Sequence, residues 1–489
     1  MGYQGLSTKS LMMLGAAMLL TLPAYASTLS DSVHQAVKTH PLIAAGKASA
    51  AAAGQSVREQ RAAFYPTVSV NASVGRLHAD NDTTRGIVGG DAYSWSGDGG
   101  ISLTQPIFAG FGNVNRLEAA KGRELSATHE LGGAEEDVAV RAARAHLNMM
   151  RTRELLDLNS GYVAEIVKRR DNIALMVKEG AADEAELLQA DEIMMAAKTT
   201  RLGYEESFQQ AVVDYVQAVG EEPAQALEFG TAVWEKFIPS ALEEAMDVAR
   251  KNNPKLKAAD SMVEALAKDT AAERSALLPK LDAELSYNEK DQNDDVGGET
   301  MNAQAMLRMS WGLSTGGGQF ARISRSAKQR EEALAKRQNV LRTLDHDVRQ
   351  RFTSMKIVDE QFGVMVGREE ASQKILDNFL TQYEGGKQSN LQLISANTRL
   401  FDAKAARTDA FYRRLLARFE LLSAMGSLEK ALDMGPAVTG GEGKAAENKP
   451  AENKPVEVAP LAGAPAANEP VSNGPVENKD AEDKTGEMK

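Results

Sequence analysis

Two rhythms alternate along the chain. In residues 67–74 (TVSVNASV), Val68, Val70, Ala72 and Val74 fall on one side and Thr67, Ser69, Asn71 and Ser73 on the other. Leu281, Ala283, Leu285 and Tyr287 repeat the pattern against Asp282, Glu284, Ser286 and Asn288. Farther on, Ala303, Ala305, Leu307, Met309 and Trp311 oppose Gln304, Arg308 and Ser310. A period of two predicts strands at about 67–75, 95–104, 280–288 and 302–311. The second rhythm steps by four and three. It runs through Val138, Ala142, Ala145, Met149, Thr152, Leu156, Asn159, Val163, Ile166, Arg170, Ile173 and Val177, and again from Val348, Phe352, Met355 and Asp359 to Tyr383. That spacing predicts helices packed at shallow angles. Thr152, Asn159, Arg170, Asp359, Glu369 and Gln373 interrupt the seam and suggest a wet wall rather than a dry two-stranded coil.

Proline agrees, being absent between Pro106 and Pro223 and between Pro279 and Pro436, as long helices require. A helix from about Asn113 to about Glu179 would reach roughly 100 Å. Gly180 and Gly385–Gly386 then read as helix–turn–helix tips, with the chain returning along 184–219 and 390–425.

The unit is used twice. Pro66 and Pro279 stand 213 residues apart, as do Pro41 and Pro254. Later, Gly110 and Gly316, Gly161 and Gly367, Gly180 and Gly386, and Gly220 and Gly426 all stand 206 apart. An offset that tolerates no insertion suits rigid rods, because one extra residue rotates a helix face by about 100°. The expected organisation is a first repeat over 27–230, a second over 231–434, and a Pro-, Glu-, Lys- and Asn-rich tail over 435–489, read as disordered. Residues 1–26 read as a secretory signal: Lys9, an apolar stretch from Leu11 to Leu22, and cleavage after Ala26.

The strand segments carry an apolar side (Val68, Val70, Val74, Leu281, Leu285, Leu307, Trp311) and a polar, partly charged reverse. That is the alternation of a transmembrane barrel. Phe64, Tyr65, Trp95, Phe108, Tyr287 and Trp311 at the ends fit interfacial girdles. The competing reading is a pair of soluble, half-buried hairpins. Four strands cannot close a barrel, and an open edge in lipid leaves backbone groups unpaired. A barrel must therefore be shared: eight strands in a dimer or twelve in a trimer.

Composition narrows the classes. A net charge of −12 without a basic block argues against nucleic acid. With no cysteine there is no disulfide, thiol catalysis or lipidated N-terminal Cys in this sequence. Residues 316–321 (GGGQFA) fit a dinucleotide fingerprint, but the flanking strand and very long helix do not make the required βαβ unit, so the glycines read as a tight strand-to-helix junction. His346 lies between Asp345 and Asp347, and adjacent helical residues cannot share a metal. Paired acids such as Glu135–Glu136 read as solvated faces. No catalytic, cofactor or metal site is expected, and no enzyme.

Residues 103–112 (LTQPIFAGFG) opening a long helix, the corners Phe64–Pro66 and Leu278–Pro279, the tip segments, the duplication and the leader together resemble the TolC-like outer-membrane factor family over about 28–432. The resemblance implies a mostly α fold with a membrane β-barrel segment: a long antiparallel α-helical coiled-coil barrel plus four β-strands per chain, completed as a homotrimer in outer-membrane lipid. It implies docking with a periplasmic adaptor (a membrane fusion protein) and an inner-membrane ABC or proton-driven pump, with no hydrolysis by the duct itself. Cargo is protein, in type I secretion, or small molecules, in efflux; the missing lipidation cysteine leans towards secretion. By resemblance, Tyr383 and Glu186 match a periplasmic gate contact; the alternative for them is a seam aromatic and a solvated acid. Gln388 stands where a gating arginine is expected. Gln392 and Ser395 stand where an acidic ring is expected. Gly180, Asp183, Glu184, Gly385, Gly386 and Lys387 form the expected docking tips. The alternative function is a non-conducting, rod-like envelope spacer.

Overall fold

The computed structural model describes residues 27–79, 82, 85–86, 92–224, 227–228, 233–292, 299–313 and 316–433. The leader and the C-terminal tail expected from sequence lie outside the described residues.

The chain opens with a two-residue strand, β1 (Ser27–Thr28), then α1 (Leu29–Thr39) and α2 (Pro41–Ala62). Strands β2 (Thr67–Ala79) and β3 (Ala92–Ala109) follow, then the long helix α3 (Gly112–Lys178) and its return α4 (Glu184–Val219). After β4 (Leu227–Glu228) and a 3-10 helix at Val233–Phe237, the same order recurs: α5 (Leu242–Asn252), α6 (Pro254–Arg274), β5 (Lys280–Gln292), β6 (Glu299–Ser310), α7 (Gly318–Glu384) and α8 (Asn390–Ala424). A short α9 (Leu428–Asp433) ends the described chain. Helices α3 and α7 are each 67 residues long.

Local chemistry sets the boundaries. Thr28 and Asp31 form a capping box at the start of α1. Pro41 and Pro254 occupy first-turn positions of α2 and α6, where a missing N–H costs nothing. Asn253 serves two helices at once. Its Oδ1 accepts from the amides of Lys255 and Leu256, and its Nδ2 donates to the Ala424 carbonyl at the end of α8. Gly110 and Phe111, at the β3–α3 junction, both have positive φ, and a Cβ on Gly110 would stand 2.6 Å from the Ser275 carbonyl oxygen. The equivalent junction before α7 uses Gly316 and Gly317, both left-handed, which is the role read for those glycines.

The four long strands form one antiparallel sheet in the order β2-β3-β5-β6. All four run beyond the expected bounds of 67–75, 95–104, 280–288 and 302–311, except that β6 stops at Ser310 and leaves Trp311 just outside. Backbone pairing continues where side-chain alternation stops, as at Asp291 opposite Glu299. Pro106 sits at the one register shift between β3 and β5, the position at which a strand tolerates a missing donor.

The described residues fall into two compact units. The first takes those within 1–153, 205–360 and 412–449, including the sheet; the second takes those within 154–204 and 361–411. In the second, Tyr162, Ile166, Ile173, Ala190, Met194, Ala197, Ile394 and Phe401 make the core. Tyr162 stacks on Phe401 with centroids 4.4 Å apart and shares a 2.8 Å hydrogen bond with Thr398. In the first unit, α3 and α6 approach closely enough that a Cβ on Gly122 would stand 2.9 Å from the Ala265 Cβ.

Every seam residue predicted on α3 and α7 is buried or half-buried. The polar interruptions differ from the wet wall expected of them: most meet side-chain partners. Asp359 takes Arg414 and Arg418, each at 2.8 Å, and Glu369 takes Arg407 at 3.0 Å. Arg170 pairs with Asp191 at 2.6 Å, which holds the Asp191 carboxyl below its usual range. Thr152 bonds its own helix, and Asn159 is enclosed with neither amide atom partnered. Opposite charges on facing helices thus replace apolar knobs, a coupling that the α3 and α7 patterns alone do not reveal.

Candidate functional site

Two regions carry the expected function, the sheet in the first unit and the two helix tips in the second.

In the sheet, pairing places Val68, Leu103, Leu285 and Ala305 in one row and Val70, Ile101, Tyr287 and Ala303 in the next. These rows lie on one face. On the other lie Ser69, Ser102, Ser286 and Gln304, then Asn71, Gly100, Asn288 and Asn302. Of the residues expected to face lipid, Val68, Val70, Val74, Leu285, Leu307 and Trp311 are exposed, Val74 to 79%, and Leu281 is half-buried. Exposed valines on one face are unfavourable in water and favourable in hydrocarbon. The polar face is tied within itself: Ser69 and Ser102 hydroxyls are 2.7 Å apart, and Arg308 pairs with Glu284 at 2.8 Å. Among the described residues, strands β2 and β6 each pair on one side only, so both edges of the sheet are open there. No helix among the described residues is long and apolar enough to cross a membrane.

At the tips, Gly180 and Gly386 are left-handed and close matching turns. The Ala181 amide donates to the Met176 carbonyl at 2.7 Å, and the Lys387 amide to that of Gln382 at 2.8 Å. These are Schellman caps, which glycine permits. Asp183 precedes α4 and accepts from the Ala185 amide, which leaves Glu186 in the first turn beside Glu184. Ser389 precedes α8 and forms a capping box with Gln392. The pattern S-x-x-Q at 389–392 is the local signal for it. Gln392 therefore works on its own helix end, and Ser395 donates to the Leu391 carbonyl at 3.1 Å. Gln388 donates to the Gln382 side chain at 2.8 Å, and its own Oε1 is buried without a partner. Tyr383 and Glu186 are half-buried, and the single chain brings no hydrogen bond between them. Asp183, Glu184, Gly385 and Lys387 are exposed, with Gly180 and Gly386.

Among the described residues, two ionisable groups outside the tips and the sheet stand far from their ordinary state. Glu136 is buried rather than on the solvated face expected of it, and burial pushes its carboxyl up to about 8, where the amides of Leu428 and Glu429 at the start of α9 only partly offset it. Burial pulls His146 down to about 4. Its Nδ1 lies 2.9 Å from the Ser32 hydroxyl, which is also 2.9 Å from the Tyr215 hydroxyl. The trio holds α1 against α3 and α4 and is closed to solvent, so it serves packing, and no pattern in the chain singles it out.

A four-stranded sheet, apolar on one face and polar on the other, in a chain of paired helices of unequal length is the architecture expected of an outer-membrane channel subunit. The family model for outer membrane efflux proteins matches residues 32–221 and 245–427, and the chain belongs to that family. It is 22% identical over 426 residues to the outer membrane efflux protein BepC of Brucella suis, covering 85% of this chain and 89% of that one. It is 21% identical over 437 residues to the alkaline protease secretion protein AprF of Pseudomonas aeruginosa, covering 85% and 87%. Among solved structures, the fold resembles CusC, with a TM-score of 0.70 at 14% identity over 82% of this chain and 92% of that one. It also resembles the outer membrane protein VceC of Vibrio cholerae, with a TM-score of 0.68 at 17% identity over 82% and 96%.

Proposed function

We propose that the chain is one subunit of a homotrimeric export duct in the outer membrane. The observation that carries this reading is the open sheet: apolar on one face, polar on the other, with β2 and β6 each unpaired along one edge. In hydrocarbon such edges must find partners, and β2 of one subunit against β6 of the next supplies them without any other protein. Three copies give twelve strands, enough to enclose a water-filled lumen, whereas eight would fill with side chains.

The duct works with a periplasmic adaptor and an inner-membrane pump that supplies the energy. The tips around Gly180, Asp183, Glu184, Gly385, Gly386 and Lys387 are the docking surface, and Tyr383 and Glu186 form a gate contact between neighbouring helix pairs. The leader is removed after Ala26. Two cargo classes fit, polypeptide in type I secretion and small molecules in efflux. The relatives' names, protease secretion for one and efflux for the other, support each in turn.

The test is reconstitution of the detergent-purified chain in planar bilayers. A trimeric species with unitary conductance, rising on Tyr383→Phe or Glu186→Gln, is the expected result. A monomer that stays in water without detergent and conducts nothing would overturn the duct and favour a rod-like spacer.

A further inference from the structure

The polar face of the sheet is banded, and the register gives the bands. One row holds Ser69, Ser102, Ser286 and Gln304, and the next holds Asn71, Gly100, Asn288 and Asn302. Neither row contains an ionisable group. Charge lies to either side: Glu284 with its partner Arg308 below, Asp98 and Lys290 in the row above. The neutral band is thus two rows deep, roughly 7 Å along the strands.

Gly100 stands at the centre of the amide row for a steric reason. The Asn288 amide oxygen occupies the place a Cβ on Gly100 would take, and the Asn71 amide oxygen lies 3.0 Å from it. Neighbouring glycines Gly97 and Gly99, on the apolar face, have nothing near the equivalent position. A glycine in a strand interior weakens the strand and needs a reason such as close approach. Here the reason is that amide oxygens from both flanking strands take the space over it.

We propose that Asn71 and Asn288, seated on Gly100, form with Asn302 beside them a charge-indifferent belt lining the barrel lumen, at which the duct passes ions and cargo groups of either sign. The inference rests on the duct reading and goes beyond it, because it assigns residues to the indifference of the barrel. Amides hydrogen-bond to anions through N–H and to cations through C=O, so a belt of them offers neither sign a barrier. Discrimination by charge then belongs to other parts of the duct.

The experiment uses the full mature protein in planar bilayers under a potassium chloride gradient. Asn288→Asp is expected to shift the reversal potential towards cation selectivity and Asn288→Lys towards anion selectivity, with Asn302→Asp following Asn288→Asp. Gly100→Val is expected to push the two amides off the wall and lower unitary conductance. Adding Asn288→Ala to that variant is expected to restore part of the conductance, because the amide nearest Gly100 is gone. Trimer yield in detergent separates these effects from failed assembly, and the charge variants, which leave Gly100 alone, keep the proposal falsifiable if Gly100→Val does not assemble. Conducting channels whose reversal potential ignores both Asn288→Asp and Asn288→Lys would overturn the belt while leaving the duct standing. A wild-type chain that does not conduct would bring down both.

Discussion

Ser389 and Gln392 bond each other's backbone amides at the start of α8: the Gln392 amide donates to the Ser389 hydroxyl at 3.3 Å, and the Ser389 amide donates to the Gln392 side-chain carbonyl at 3.2 Å. A glutamine expected to line a constriction is thus spoken for by its own helix terminus. Replacing Ser389 with Ala should cost about 1 kcal/mol locally. Hydrogen exchange at residues 390–393 should quicken while exchange in α3 stays unchanged. Protection that is unchanged at α8 would mean the box contributes nothing.

Glu369 and Arg407 form the most enclosed of the ion pairs described, with side chains 10% and 15% exposed. Removing one partner leaves the other charge in a poor solvent. Glu369→Ala should therefore destabilise the second unit by roughly 3 kcal/mol, and Glu369→Leu with Arg407→Leu should recover much of it. A double-mutant cycle on urea midpoints measures this, and additive single effects would refute the coupling.

Glu136 makes stability fall as pH rises from about 4.5 to about 8. Its folded pKa, about 8, lies above the ordinary 4.5, so the folded state holds a proton that the unfolded chain releases. Its contribution is full below about pH 4.5 and is lost as pH rises to about 8. Glu136→Gln should leave stability unchanged near pH 4.5 and raise it by on the order of 5 kcal/mol above pH 8. Melting temperatures of the two proteins across that range give the answer, and parallel curves would contradict it.

His146 acts at the other end. With its folded pKa near 4, below the ordinary 6.5, the unfolded chain takes up the proton first. Stability from this group is full above about pH 6.5 and is lost as pH falls to about 4, by on the order of 3 kcal/mol. The variant His146→Gln should flatten the acid limb relative to wild type, and Tyr215→Phe should loosen α1 at all pH values, as read by exchange at residues 29–36. An acid limb identical in wild type and His146→Gln would show that other groups carry it.

The chain's own periodicities determined most of the architecture. Period-two alternation located all four long strands, and the four-three spacing with its proline gaps located α3 and α7, because a side chain's face is set by backbone geometry before any packing occurs. The tip glycines were legible for the same reason, since only a left-handed residue closes a Schellman turn cheaply. The tertiary structure decided what local pattern does not encode. Strands ran on past their alternation because backbone pairing needs a neighbour rather than a side-chain rhythm. The breaks in the seam at Asp359 and Glu369 found arginines some forty to sixty residues away on the return helix, and the Ser32–His146–Tyr215 cluster joined three helices distant in sequence. Gly100 became a seat for two amides only once register had set Asn71 and Asn288 on either side of it. Pairing across space depends on which elements meet, and that is fixed by the whole chain at once.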